Sequence, residues 1–256
     1  MRKKTKSKQA SKIDFLENQS INNTMAIKEG PTKRKKWTIH DMKDIKPLTQ
    51  PQNDMMSGYM QGNNIIAHGS AGTGKTLIAL TLAFNDVFSK DTRTDHIIIV
   101  RSCVPSRDVG FLPGTEEEKY APFERPYIEL CAELFKKSNT YENMKEAGLI
   151  EFTPTTFTRG VTWNNAVVII DELQNFNWEE ANTIMTRLGH NSRVIVVGDY
   201  KQNDLYRNKY DTSGIEKFLR ICKKINEFDF IEFTKDDIVR GDFVKKWICA
   251  VEDDNL

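Results

Sequence analysis

The chain has 256 residues, 39% apolar and 10% aromatic, which is enough to build a real core in one large domain or two small ones. Its formal charge is only +1, and no apolar run approaches the roughly 18 residues of a membrane helix. The Lys-rich start lacks the apolar stretch of a secretion signal, so a soluble, cytoplasmic protein without a membrane partner is expected.

The small net charge conceals an uneven distribution. Residues 1–36 hold eleven Lys or Arg against three Asp or Glu, while the rest of the chain holds 26 against 33. The first segment is also rich in Ser, Asn and Gln and poor in apolar residues, so it buries too little surface to offset the entropy of ordering. Residues 1–44 are expected to form a basic, disordered tail ahead of a single domain over 45–256. Such a tail gains affinity for nucleic acid by releasing counterions from phosphates; it serves equally well as a solubilising segment or an electrostatic mate for the acidic body. Cys103, Cys131, Cys222 and Cys249 lie far apart with no CxxC pair, and they read as ordinary thiols rather than as zinc ligands or a disulfide framework.

Past the tail, short β-rich runs alternate with helical patterns, which predicts a mostly parallel sheet with helices on both faces. The first strand, "NIIAH" at 64–68, leads into "GSAGTGKT" at Gly69–Thr76 and then a helix predicted over 75–88. Strand, Gly-rich loop and helix in that order is the setting of a true phosphate loop. The backbone N–H groups of Gly69, Ser70, Ala71, Gly72, Thr73 and Gly74 can face phosphate oxygens, and the helix N-terminus adds a favourable dipole. Lys75 should reach the β- and γ-phosphates, and Thr76 should offer its hydroxyl to Mg2+.

"HIIIV" (96–100) and "LIEFT" (149–153) are the next strands, with a helix expected over 124–137 between them. "AVVIIDELQ" at 166–174 is an apolar strand ending in adjacent carboxylates. Asp171 suits the magnesium-side aspartate, and Glu172 suits a base that orients or activates water against the γ-phosphate. A helix over 178–188 precedes "RVIVV" (193–197), a strand that ends in "GDYKQ", where Asp199 and Gln202 are placed to sense the γ-phosphate or the attacking water. A helix over 213–224, a strand "FDFIEF" (228–233) and a helix over 243–251 complete the pattern.

Taken together, these residues resemble the PhoH-like ATPases, P-loop NTPases with a RecA-like core similar to the first domain of superfamily 1 helicases. The likeness covers about 47–250: "GSAGTGKT", "DELQ" where the family has DEAQ, "GDYKQ" where it has GDPTQ, and "GFLPGTEEEKYAPFERPYIEL" at 110–130, the most family-specific stretch. "TRG" at 158–160 and "DIVRG" at 237–241 match as well, the latter where the family usually has VVRH. Tyr200 and Lys201 depart from the family's Pro and Thr.

The resemblance implies roles that spacing alone does not establish. Gln52 in "PLTQPQ" matches a glutamine that reads the adenine edge, which favours ATP. Gln174 and Gln202 match positions that couple γ-phosphate state to movement. Arg240 matches a late arginine that acts as a finger, in cis or from a neighbour, with a surface salt bridge as the plain alternative. Arg101 and Arg159 occupy positions where helicase-like proteins contact nucleic acid or a subunit boundary, and each also reads as an ordinary surface arginine. The apolar loop Gly110–Gly114 suggests a partner surface, a pore-facing loop or a segment folded back on the core.

The leading expectation is an ATPase using ATP and Mg2+ that acts on, or is regulated by, RNA or other single-stranded nucleic acid. A helicase closes ATP between two core domains, and one is expected here, so a homo-oligomeric ring such as a hexamer would complete each site. A kinase on the same loop would need an acceptor pocket and a lid, whereas Glu172 favours water. A nucleotide-dependent scaffold or switch with weak hydrolysis is the other class. The nuclease domain carried by some family members is not expected, for want of length.

Overall fold

Six strands form one sheet: β1 (Asn64–Gly69), β2 (His96–Arg101), β3 (Ile150–Pro154), β4 (Ala166–Asp171), β5 (Arg193–Gly198) and β6 (Phe228–Phe233). Their order is β3-β2-β4-β5-β1-β6, and every neighbouring pair is parallel. The computed structural model describes residues 37–103, 115–158, 160–199 and 212–254. The loop Gly110–Gly114, Arg159, Tyr200, Lys201, Gln202 and residues 1–36 of the tail lie outside them. All six strands fall within one residue of the predicted runs; in the central strands β2, β4, β5 and β1 the uninterrupted apolar stretches suit a sheet covered on both sides, whereas the edge strands β3 and β6 carry Glu151, Asp229 and Glu232. In β4 all six residues are buried.

Side chains of successive strand residues point to opposite faces, and the core divides accordingly. One face gathers Ile65, Ala67, Ile97, Ile99, Val167, Ile169, Ile195 and Val197. Against it lie four helices: α1 (Gln50–Met60), α2 (Lys75–Phe88), α3 (Glu116–Phe135) and α4 (Thr140–Glu146). The other face gathers Ile66, Ile98, Val168, Ile170, Val194 and Val196 under α5 (Trp178–Met185) and α6 (Thr212–Cys222). The last helix, α7 (Asp242–Asp254), follows a 3-10 turn at Lys235–Asp237 and has no buried residue.

The structure corrects the expected boundaries in three places. Trp37 is buried and meets Phe135 edge-on at 5.4 Å, Lys43 N donates to Leu134 O at 2.7 Å, and the compact unit begins at Trp37. Residues 37–44 therefore belong to the body rather than to a tail ending at 44; a large aromatic finding a partner outweighs the polar residues around it. Helix α3 begins at 116, not 124, because Thr115 and Glu118 form a reciprocal cap: Glu118 N donates to Thr115 Oγ1 at 3.3 Å and Thr115 N to Glu118 Oε2 at 2.9 Å. The helix continues through Pro122 and Pro126, held by its buried stripe of Tyr127, Cys131, Leu134 and Phe135.

The third correction is that two helices form which the apolar pattern does not predict, the short α4 (Thr140–Glu146) and α1. The inward positions of α1 are Gln52, Met55, Gly58 and Tyr59, a helical spacing carried partly by residues that do not register as apolar. A Cβ on Gly58 would lie 2.1 Å from Asp229 Oδ2, so the glycine lets α1 approach β6.

Candidate functional site

Parallel pairing brings the carboxyl ends of the strands to one edge, where ligands bind in open α/β sheets. Gly69 ends β1, Arg101 ends β2 opposite Asp171 of β4, and Gly198 ends β5 opposite His68. β5 lies between the phosphate-loop strand and the carboxylate strand. Its following residue, Asp199, thus sits between the loop of β1 and the carboxylates of β4.

The phosphate loop is wound tightly against β6 and α1. Gly69 has φ +115°, and a Cβ there would lie 1.9 Å from Phe233 O; Ser70 N donates to that same carbonyl at 2.9 Å. The Thr73 hydroxyl donates to Ser70 O at 3.0 Å. Lys75 begins α2 and turns its ammonium back into the loop, donating to Gly69 O and Ser70 O at 2.7 Å each and to Thr73 Oγ1 at 3.3 Å. Burial holds the Lys75 pKa below its usual value, against the opposing pull of Asp199, Glu172, Asp171 and Glu252.

Asp171 is buried and fully engaged. Its Oδ1 accepts from the Thr76 hydroxyl at 3.2 Å and from Glu172 N at 3.1 Å, and its Oδ2 from the Tyr127 hydroxyl at 2.6 Å. Burial and the Glu172 charge push the Asp171 carboxyl up to about 6, with Tyr127 and Arg101 pulling the other way. A hydroxyl and a carboxylate converging at a helix N-terminus suit a hard divalent cation that takes oxygen ligands. A cation there would also relieve the crowding of negative charge, so the residues fit Mg2+.

Glu172 adopts φ +57°, ψ +49°, left-handed backbone that a non-glycine residue holds only where its surroundings enforce it. The twist turns its carboxylate toward Gln174, whose amide nitrogen donates to Glu172 Oε2. The Gln174 amide oxygen in turn accepts from Asp199 N at 2.9 Å. Gly198 makes room for this bridge, since a Cβ there would stand 2.8 Å from Gln174 Oε1. One glutamine thereby joins the end of β4 to the end of β5.

Gln52 is buried on α1, accepting from Leu48 N at 2.7 Å and donating to Thr73 O at 2.8 Å. It ties the segment before α1 to the phosphate loop. Arg240 lies over the loop in the same chain: a Cβ on Gly72 would stand 3.0 Å from Arg240 Cγ, and Val239 N donates to Gly72 O at 3.1 Å. Arg101 is not on an open surface; its guanidinium stands 3.9 Å from Glu172 Oε1 and over the Phe123 ring.

Two residues at the site escape sequence reasoning. Tyr127 precedes Asp171 by 44 positions, and no spacing rule links them; the one available signal was its place inside the family-specific stretch at 110–130. Glu252, near the end of α7, accepts from the Ser70 hydroxyl at 3.0 Å, and nothing in its local sequence marks it. The thiols are all free. Burial pushes Cys103 and Cys222 up to about 11 and Cys131 up to about 12, as expected of inert side chains.

Among the described residues no helix is long and apolar enough to cross a membrane. The family described as "PhoH-like protein" matches residues 44–252. The PhoH-like protein of Bacillus subtilis (strain 168) is 33% identical over 214 residues, 83% of this chain and 66% of that protein. The PhoH-like protein of Synechocystis is 36% identical over 209 residues, covering 81% and 62%, and Protein PhoH of Escherichia coli (strain K12) is 35% identical over 216 residues, covering 82% and 60%. The chain therefore spans between three-fifths and two-thirds of the length of these relatives. Among solved structures, the large terminase of a thermophilic bacteriophage superposes with a TM-score of 0.49 at 14% identity, over 79% of this chain and 50% of that one. With a phosphate loop, strand-end carboxylates and a family match over most of its length, the chain belongs to the PhoH-like family of P-loop proteins.

Proposed function

We propose that the protein binds ATP with Mg2+ and hydrolyses it, with Glu172 as the base toward water. The observation that carries this reading is the position of Glu172. It stands on strained backbone at the sheet edge next to Asp171 and is bridged through Gln174 to Asp199. A kinase would need an acceptor pocket and a lid in addition to such a base.

Each residue then has a defined task. The loop N–H groups from Gly69 to Gly74 receive phosphate oxygens, and Lys75 exchanges its bonds to Gly69 O and Ser70 O for the β- and γ-phosphates. Thr76 and Asp171 would hold Mg2+, which when bound neutralises phosphate charge. Gln52 holds the loop through Thr73 O and, by family resemblance, turns toward adenine. Gln174 relays the γ-phosphate state from Glu172 to Asp199; Gln202 lies outside the described residues and shares that role by resemblance. Arg240, beside its own Gly72, serves as a finger in cis. Action on RNA or single-stranded DNA, assembly into a ring, a cytoplasmic location and a nucleic-acid role for the basic tail complete the proposal.

The test is ATP turnover of Glu172→Gln against the native chain, with and without single-stranded RNA and with and without residues 1–36. Loss of a proton-transfer group lowers turnover by about 10²- to 10⁴-fold while nucleotide binding persists. Equal turnover in the two chains would sink the assignment, and RNA stimulation that survives deletion of 1–36 would move nucleic-acid binding to the body.

A further inference from the structure

We infer that Glu252 is an internal competitor for the phosphate site, and that α7 is a latch which nucleotide must displace; this rests on the nucleotide-binding reading above.

The contact is made inside the phosphate loop. Glu252 Oε2 accepts from the hydroxyl of Ser70, the second residue of the loop. Glu252 is also one of the four carboxylates whose charge acts on the Lys75 ammonium. A carboxylate that takes a loop hydroxyl does, in part, what a phosphate does there. The two anions cannot share that donor without repulsion.

The hold on the helix is weak, as a latch requires. No residue of α7 is buried, and Phe243 and Trp247, one helical turn apart, are 78% and 64% exposed. Burial of apolar surface therefore contributes little to keeping the helix in place. Its contacts include the Glu252 hydrogen bond, an exposed Lys235–Asp253 pair at 2.8 Å, a bond from Lys245 Nζ to Asp236 O at 3.2 Å, and Ile248 resting near Gly72. The second carboxylate oxygen of Glu252 is buried without a hydrogen-bond partner, an unfavourable placement that release of the helix removes. The connection to α7 passes through Val239 and Arg240, which lie on the loop tip. Movement of α7 is thus transmitted to the finger arginine.

The experiment compares the native chain, Glu252→Gln and Lys75→Ala in binding a fluorescent ATP analogue, with hydrogen exchange of residues 242–254 measured with and without nucleotide. Glu252→Gln is expected to bind nucleotide more tightly by on the order of tenfold. Its α7 amides are expected to exchange faster than native ones before any nucleotide is added; native α7 reaches that rate only on binding. Binding by the glutamine chain within twofold of native, with α7 exchange unchanged, overturns the latch and leaves the nucleotide reading intact, provided Lys75→Ala abolishes binding. No binding by either the native or the glutamine chain overturns both.

Discussion

The Tyr127 hydroxyl donates to Asp171 Oδ2 at 2.6 Å, and both side chains are buried. Helix α3 carries the tyrosine, so the family-specific stretch that contains it reaches the carboxylate assigned to the metal side. Tyr127 is a positioning residue: it fixes one carboxylate oxygen while Thr76 and Glu172 N hold the other. Tyr127→Phe leaves that oxygen without its donor, at about 1–3 kcal/mol. Turnover is expected to fall about tenfold, with half-saturating Mg2+ rising and metal-free nucleotide binding unchanged. Titrations of Mg2+ at fixed ATP, and of nucleotide in chelator, check it.

Gln174 links Glu172 to Asp199 N. Gln174→Ala cuts both bonds without touching the phosphate loop. Nucleotide affinity is expected to change less than about threefold, while turnover falls by at least about tenfold, on the order of one catalytic hydrogen bond. Single-turnover kinetics separate the two quantities.

Gly69 is the loop glycine with the least latitude. At φ +115° and with Phe233 O 1.9 Å from a would-be Cβ, alanine requires the β1–β6 pairing to part. Gly69→Ala should destabilise the chain by more than about 3 kcal/mol, seen as a lower denaturant midpoint with an unchanged slope. Gly62, with nothing within 4 Å of its would-be Cβ, should show only the smaller backbone strain.

Trp37 tests where the body begins. Buried against Phe135, it should cost about 3–5 kcal/mol on replacement by alanine. A change below about 1 kcal/mol in urea melts would return residues 37–44 to the tail.

The thiols give a pH prediction. Cys131 and Cys222 are raised to about 12 and 11 from an ordinary value of 9, so the folded chain favours their neutral form. The stability this contributes is whole below about pH 9 and is lost as pH rises through 11 to 12. At about pH 8.5, iodoacetamide should label Cys249, which is part-exposed, at least about tenfold faster than Cys131 or Cys222. Peptide mass spectrometry reads the rates.

The sequence by itself determined the six strands and the helix after the phosphate loop, and it singled out Lys75, Thr76, Asp171 and Glu172 as candidates for the site. Those features are local: an apolar run long enough to cross a buried sheet, and a Gly-rich turn between strand and helix. It did not show α1, whose inward face uses Gln52 and Gly58, nor the true start of α3, where prolines argue against a helix that a cap and a buried stripe hold in place. Only the tertiary structure decided that β5 separates β1 from β4, because strand order follows from packing on two faces rather than from any run of residues. The same holds for Tyr127 on Asp171 and Glu252 on Ser70, separated in sequence by 44 and 182 residues. Contacts between distant segments leave no periodicity to read, and they exist only once the sheet has brought its carboxyl edge, α3 and α7 to one place.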